Sequence, residues 1–154
     1  MLEQFWSVIV AAVLPISELR GSIPLGIWVL HLDPVAVILI SILFNALVFF
    51  PIFIVLELLY HRVFERFGWA RGIVERTHRK GKPVIEKYGM LGLAIFVGVP
   101  LPMTGAWTGT LIAWILGLNW KRSFVSVALG VVIAGAIVSA VVLGGLTAFS
   151  VFVK

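Results

Sequence analysis

The chain has 154 residues, of which 61% are apolar and only 12% are charged, and its mean hydropathy is +1.13. A soluble domain of this size exposes too much surface to hide so many apolar side chains, so composition excludes a water-soluble protein and indicates one integral membrane domain over residues 1–154. The formal net charge is +5, and the absence of cysteine excludes disulfides and cysteine-ligated metals.

The first apolar element covers residues 4–32 and is interrupted by PISELRGSIP, residues 15–24. This break carries Glu18 and Arg20, although an ionisable residue at the centre of a membrane helix costs about 2.5–3.5 kcal/mol on insertion scales. Its proline and glycine content favours a non-helical tip, which a membrane tolerates only where protein buries it or water reaches it. The residues expected at this tip are Pro15, Gly21 and Pro24.

The second apolar element is an uncharged run of 22 residues, 35–56. It is long enough to span the hydrocarbon core, which takes about 20 residues. Pro51 predicts a kink near Leu47, because proline has no backbone N–H to offer the carbonyl four residues earlier. Asn45, at mid-depth, needs a hydrogen-bond partner within the protein.

Glu57 follows near the inner end of this run and has two interpretations. It is either a residue that couples transport to protons or an interfacial residue that pairs with His61, one turn later.

A basic segment, residues 61–88, divides the chain into repeat one (1–60) and repeat two (89–154). It carries eight lysine and arginine residues against three glutamates. Because basic segments beside membrane helices mark the cytoplasmic side, we expect this connector in the cytoplasm, beside anionic headgroups of the plasma membrane. No aromatic platform accompanies the charge, so nucleic acid is not an expected partner. The N-terminal MLEQFW lacks the features of a cleaved signal peptide.

Repeat two begins with residues 89–120, which are uncharged and interrupted by PLPMTGAWTG, residues 100–109. Lys121 and Arg122 follow, and residues 123–153 then form a second uncharged run. The residues expected at this second tip are Pro100, Pro102, Gly105 and Gly109.

The two halves resemble each other at an offset of 86 residues. LGIWVLHLD (25–33) aligns with LIAWILGLN (111–119), with identical leucines and tryptophan at four positions. The breaks also coincide, which indicates an internal repeat.

Topology predicts what kind of repeat this is. If residues 61–88 and Lys121-Arg122 are both cytoplasmic, segment 89–120 enters and leaves the membrane on one side and must be a re-entrant hairpin. The same logic makes 4–32 a hairpin from the opposite side. The predicted fold class is therefore an all-α membrane protein with two inverted repeats, each a re-entrant hairpin followed by a transmembrane helix. The alternative is four ordinary spanning helices.

The predicted site lies where the two tips would meet. Glu18 is a candidate proton-coupling carboxylate and Arg20 a candidate anion-binding cation, although the pair could instead be a structural ion pair that closes the tip. Half-helices beginning at Thr108 and after Ser22 would present positive N-terminal ends to the membrane interior. The remaining site candidates are Ser22, Thr104, Trp107 and Thr108, with Glu57 and Asn45 as possible coupling residues.

Other chemistry has little support in the sequence. His31, His61 and His78 lack the spacing of metal ligands, so no metal and no cofactor is expected. No nucleophile–base pair or phosphate-binding loop appears, and we do not expect an enzyme.

PISELRGSIPLG and VPLPMTGAWTGTLIAWILGL resemble the signatures of the small multidrug export protein family of prokaryotes. The resemblance covers essentially the whole chain, although Met103 stands where the family signature has glycine. That family is in turn remotely similar to the DedA/VTT group, which is associated with paired re-entrant hairpins and with the movement of lipids, including polyprenyl-phosphate carriers. The resemblance implies transport.

These observations predict a small transporter of amphiphilic molecules, with an anionic lipid such as a polyprenyl phosphate or phospholipid as substrate and proton coupling at Glu18. Export of amphiphilic cationic drugs is the alternative within transport. A membrane scaffold and an intramembrane enzyme are the alternatives from other classes. Two spanning helices and two hairpins enclose little volume, so we expect a homodimer in the lipid bilayer.

Overall fold

The structure is a computed structural model that describes residues 2–60, 89–101 and 104–152. These residues form seven helices and no strand, so the all-α prediction holds for the described part of the chain. The helices are α1 Leu2–Val13, α2 Glu18–Pro24 with a wider π-helical continuation Leu25–Val29, α3 Pro34–Leu47, α4 Phe49–Leu59, α5 Gly89–Gly98, α6 Ala106–Ile115 and α7 Trp120–Phe152. The basic connector and Pro102 lie outside the described residues.

Two helices are long and apolar enough to cross a membrane: Pro34–Leu59, which comprises α3 and α4, and Trp120–Gly145 within α7. The first starts at Pro34, because the Ala36 N–H donates to Asp33 Oδ1 at 2.8 Å and Pro34 stands where no N–H is needed. It is interrupted at Val48, directly after Leu47. The interruption lies beside the position where Pro51 predicts a kink.

The first apolar element folds back on itself as a helical hairpin. Residues 14–17 form the turn, here called the first tip, and α1 packs along both α2 and its π-helical end. At 1.5 Å per residue, α1 is about 18 Å long, which is too short to cross a hydrocarbon core of about 30 Å.

Corresponding local structures recur at the offset of 86. Asp33 and Asn119 each accept a hydrogen bond from the start of the following helix, at 2.8 Å and 3.0 Å. His31 and Gly117, which also correspond, both have positive φ (52° and 69°) and end their hairpins. The same backbone therefore forms at both places with different residues, and His31 bears the strain that glycine avoids.

The spanning helices run antiparallel. The Phe124 ring lies 5.5 Å from that of Phe49, while Gly135, farther along α7, meets Ile42, which is earlier in α3. Leu19 also lies against Gly135, and Trp28 lies against Gly145, so α2 runs in the direction of α7.

Helix α6 instead runs parallel to α4. Trp114 near its end donates to Glu57 near the end of α4, while Trp107 at its start shares a groove with Val48 and Pro51. Because α4 and α7 are antiparallel, α2 and α6 run in opposite directions from the tips.

The tips are shorter than the sequence predicts. Helix α2 begins at Glu18, so Gly21 and Pro24 lie within a helix, and α6 begins at Ala106 instead of Thr108, which places Gly109 in a helix too. These glycines allow close approach and do not turn the chain: a Cβ on Gly21 would meet Ser17 Oγ, and one on Gly109 would meet Val97. After Pro24, which donates no hydrogen bond, the helix widens into its π-helical turn.

The buried Asn45 side chain forms a hydrogen bond within the protein, as the sequence predicts. Its Nδ2 donates to the carbonyl oxygen of Ala12 at 2.8 Å, at the end of α1 where carbonyls have no partner within the helix. The bond ties the first hairpin to α3.

We expect Asn45→Ala to lower the free energy of unfolding by about 1–3 kcal/mol, because the buried Ala12 carbonyl loses its donor. Denaturant unfolding in detergent micelles measures this change. Ser126→Ala is the matched control, since Ser126 Oγ is buried and has no partner among the described residues. Equal losses in both variants would show that the Asn45 bond contributes nothing specific.

Candidate functional site at the hairpin tips

Glu18 is the first residue of α2, and its side chain is buried, with 6% of its surface exposed. Its φ is 47°, a left-handed conformation that is unfavourable for a residue other than glycine. Such strain persists only where surrounding contacts enforce it, and it is concentrated at functional sites. The contacts around its carboxylate therefore mark a candidate functional site.

The contacts that hold the carboxylate come from the start of α6, in the helix pair α5 and α6 that we call the second hairpin. Its oxygens occupy the space that a Cβ on Gly105 would fill, and Oε1 accepts a long hydrogen bond of 3.5 Å from the backbone N–H of Trp107. Gly105 precedes α6 and offers no side-chain cap of its own. Glu18 therefore caps α6 from another hairpin, and the positive end of the helix favours its negative charge.

A reciprocal bond runs in the other direction. The indole Nε1 of Trp107 donates to the carbonyl oxygen of Val13, the last residue of α1, at 2.9 Å. We call the contact among Glu18, Gly105 and Trp107, together with this bond to Val13, the tip junction. Each hairpin thus satisfies backbone groups that the other leaves open.

A small cavity of about 10 Å³ lies beside the tip junction. This volume is close to the least that holds one water molecule. Its polar walls come from Glu18, Arg20, Asn45 and Thr104, and α7 contributes the apolar side chains of Ala134 and Val138. Glu18 and Arg20 reach one cavity although they are two residues apart, because the positive φ of Glu18 takes it off the regular helical repeat.

The ion pair considered from the sequence does not form as a direct contact. Within the described part of the chain, no hydrogen bond or short ion pair joins Glu18 to Arg20. The two charges face the same cavity, and the tip is held by the second hairpin instead.

Thr104 holds its own tip. Its hydroxyl donates to the carbonyl of Val99 at 2.6 Å, and it accepts from the N–H of Leu101 at 3.2 Å. At the offset of 86 it corresponds to Glu18. The second tip is therefore closed by a local hydroxyl, while the first depends on a carboxylate that reaches across.

Three other predicted site residues lie elsewhere. Ser22 is fully buried one turn beyond Glu18 and does not line the cavity, and Thr108 lines the apolar groove described next. Glu57 accepts a hydrogen bond of 2.9 Å from the indole of Trp114, far along α6 from the tips. Its predicted partner His61 lies outside the described residues.

An apolar groove of about 590 Å³ runs between α4 and α6. Trp107 and Val13 line it near the tip junction, and Leu111 and Leu56 line it farther along. Trp107 therefore lines this groove and also donates its backbone N–H to Glu18, which lines the small cavity.

Sequence reasoning missed two elements of the site. The carbonyls of Ala12 and Val13 are backbone groups, and no side-chain pattern identifies them as acceptors. Ala134 and Val138 could have been found from the small residues of α7, which leave room for the cavity. No cluster of three acidic or histidine side chains that could hold a metal occurs within residues 2–60, 89–101 and 104–152.

Residues 18–137 match the family model described as "Putative small multi-drug export protein". The match covers more than half of the chain, so the chain belongs to this family. No curated protein and no solved structure matches the chain. Together with the two apolar helices, the family indicates a membrane transporter and favours transport over catalysis. The remote relation to the DedA/VTT group stays a prediction.

We expect Gly105→Ala to lower the free energy of unfolding by about 1–3 kcal/mol, because the new methyl group must displace the Glu18 carboxylate from α6. Denaturant unfolding in micelles measures the loss. Gly144→Ala is the control, because nothing lies within 4 Å of its added Cβ. If Gly105→Ala were as stable as Gly144→Ala, the tip junction would not hold the hairpins together.

Proposed function

We propose that this member of the small multidrug export family moves an amphiphilic anion, such as a polyprenyl phosphate or a phospholipid, across the membrane, with proton coupling at Glu18. The observation that carries the proposal is the position of Trp107. Its backbone N–H donates to Glu18, which lines the small cavity together with Arg20, and its side chain lines the large apolar groove. An amphiphile needs both environments side by side.

The headgroup would bind at the start of α6. The partial positive charge of a helix N-terminus and the guanidinium of Arg20 both favour an anion there. Glu18 already occupies the N-terminus of α6, so a phosphate headgroup and the Glu18 carboxylate compete for one place.

This competition supplies a coupling mechanism. When Glu18 takes up a proton, its carboxyl group loses the charge that the α6 N-terminus attracts, and the headgroup can replace it. Proton and anionic substrate then bind together. Asn45 lines the same cavity and would keep the first hairpin on α3 during the exchange.

The apolar part of the substrate would lie in the groove between α4 and α6. The described walls of this groove are apolar except for Thr108. Its volume of about 590 Å³ is within the range of ligand pockets, so it can hold part of an acyl or prenyl chain.

The architecture proposed for this transport is an inverted repeat. The support is that α2 and α6 leave the tips in opposite directions and that helix caps recur at an offset of 86 residues. Hairpin one would then enter the plasma membrane from outside and hairpin two from the cytoplasm, with residues 61–88 on the cytoplasmic side. Rocking of one repeat against the other at the tip junction would expose the site alternately.

A homodimer completes the proposal. Large apolar side chains cover the outer faces of the spanning helices, and a second copy could cover part of these faces and enlarge the enclosed site. Examples are Leu39, Leu43, Ile133 and Val141, which are all exposed.

Export of amphiphilic cations is the second candidate, favoured by the description of the family. A cation would pair with the Glu18 carboxylate, and Arg20 would oppose it. The two candidates therefore predict opposite effects of removing the Arg20 charge.

We expect Glu18→Gln to abolish the proton-driven part of substrate flux while preserving the shape of the α6 cap. We expect Arg20→Ala to raise the half-saturating concentration of an anionic lipid about tenfold or more, since hydrogen bonds to charged groups are worth about 1.5–3 kcal/mol. Proteoliposomes with labelled polyprenyl phosphate, phospholipid or cationic dye, with and without a pH gradient, measure both.

Glu3→Gln is the matched control, because Glu3 is an exposed acid on α1. Improved dye transport in Arg20→Ala, with no lipid movement in the native protein, would favour cation export. If none of the three substrates moves under any condition, transport is refuted and the scaffold hypothesis replaces it.

The inverted orientation predicts that Asp33 and Lys121, exposed at opposite ends of the bundle, face opposite sides of the membrane. Since the chain has no cysteine, Asp33→Cys and Lys121→Cys each provide a single thiol. An impermeant maleimide added to intact cells should label Asp33→Cys only, and it should label both after permeabilisation. Labelling of both in intact cells contradicts the proposed topology.

A further inference from the structure

Several buried hydroxyl groups in the bundle have no hydrogen-bond partner among the residues that the structure describes. Ser22 on α2 and Ser41 on α3 are both fully buried, and neither Oγ has a hydrogen-bond partner among the described residues. Other hydroxyls in helices do donate to the backbone carbonyl one turn earlier: Thr110 to that of Ala106 at 2.6 Å, and Ser123 to that of Asn119 at 2.9 Å. Ser22 and Ser41 therefore lack a bond that their own helices ordinarily supply.

The register of α2 against α3 places these two hydroxyls opposite each other. At one end of the seam Gly26 lies against Val37, and at the other end Glu18 and Asn45 line the same cavity. Because antiparallel helices pair one turn at a time, a step of four residues from Gly26 and from Val37 brings Ser22 to the level of Ser41.

Helix α7 adds a third hydroxyl near this level. Gly135 meets Leu19 of α2 and Ile42 of α3, and Ser139 follows one turn later. Ser139 is 8% exposed, and its Oγ also lacks a partner in the part of the chain that the structure describes. Three helices thus place hydroxyls without partners at about one level, one turn from the cavity.

We propose that this seam, from Ser22, Ser41 and Ser139 to Glu18, is the route by which protons reach the carboxylate. The proton comes from water at the end of the bundle where His31 and Asp33 lie exposed, and it ends on a Glu18 oxygen. Each serine hydroxyl and each bridging water takes one proton and gives one up, so that it is unchanged afterwards. The inference rests on the proposed function, because it supplies the proton that exchanges Glu18 for substrate.

The contact between Gly26 and Val37 closes the seam on the His31 side. The Val37 side chain fills the space that a Cβ on Gly26 would occupy, and Val37 is fully buried. A small movement of α2 at its π-helical turn, which contains Gly26, would open this closure.

The surroundings of Glu18 suit a proton as the coupling species. Arg20 on the same helix is charged, Asn45 on α3 and the Trp107 N–H on the second hairpin are neutral, and α7 presents only apolar groups to the cavity. The seam itself has no charged side chain between Glu18 and its mouth at His31 and Asp33, apart from Arg20. A metal cation would find a single carboxylate and an opposing guanidinium there.

Single cysteines test the seam without any transport assay. We expect Ser22→Cys and Ser41→Cys in proteoliposomes to react with Ag⁺, a small ion that must arrive through water, and so to resist maleimide labelling after unfolding in detergent. Ser126→Cys is the matched control, since Ser126 is equally buried and unpartnered but lies away from the seam. Failure of both seam thiols to react, or equal reaction of the control, overturns the proposal.

Removing the hydroxyls tests the proton route itself. We expect the double variant Ser22→Ala with Ser41→Ala to slow proton-driven flux about tenfold, because the barrier to proton transfer rises by about the free energy of one hydrogen bond. Substrate exchange in the absence of a gradient should be unchanged. Ser126→Ala should leave both rates unchanged. Equal slowing of both processes shows a packing defect and overturns the proposal, as does flux driven by a sodium gradient alone.

Different results would refute the transport function and the proton route. If the seam thiols react but no lipid or dye moves in any variant, the hydrated seam stands and the transport function falls. If substrate moves normally and the thiols are inert, transport stands and the proton route falls.

Discussion

The arrangement of this chain depends on the pairing of backbone groups at hairpin ends inside an apolar bundle. Each hairpin ends one helix and begins another, and the last carbonyls and first N–H groups of such helices have no partner of their own. Lipid cannot satisfy them. Three side chains do so from other elements: Asn45 reaches the Ala12 carbonyl, Trp107 reaches the Val13 carbonyl, and Glu18 reaches the start of α6.

This pairing explains why a buried carboxylate is tolerated at all. Glu18 gains the positive end of α6, and Gly105 leaves the necessary space because it has no side chain. The same arrangement makes Glu18 chemically sensitive, because a change in its charge acts directly on the contact between the hairpins. The structural and the functional interpretation of Glu18 are therefore two consequences of one contact.

Particular residues show how far sequence reasoning reaches. The helix start after Asp33, the interruption at Val48 shortly before Pro51 and the two breaks follow from local rules, because caps and prolines act on neighbouring backbone. The extent of the tips was predicted wrongly. Gly21, Pro24 and Gly109 are typical of turns, but in this bundle they lie in helices, where the glycines make room for Ser17 and Val97. Packing against other elements decided this, and a local pattern contains no information about such neighbours.

By itself, the sequence determined that this is an all-α membrane protein, that its apolar stretches are broken at residues 15–24 and 100–109, and that Glu18 and Arg20 lie at the first break. Composition, periodicity and local backbone chemistry are sufficient for these conclusions. Only the tertiary structure decided that Glu18 caps α6 without a direct bond to Arg20, that Ser22 is buried away from the cavity, and that Thr108 lines the apolar groove. The first of these outcomes depends on a contact between residues 89 apart in the sequence, and all three depend on packing between segments, which local sequence rules do not set.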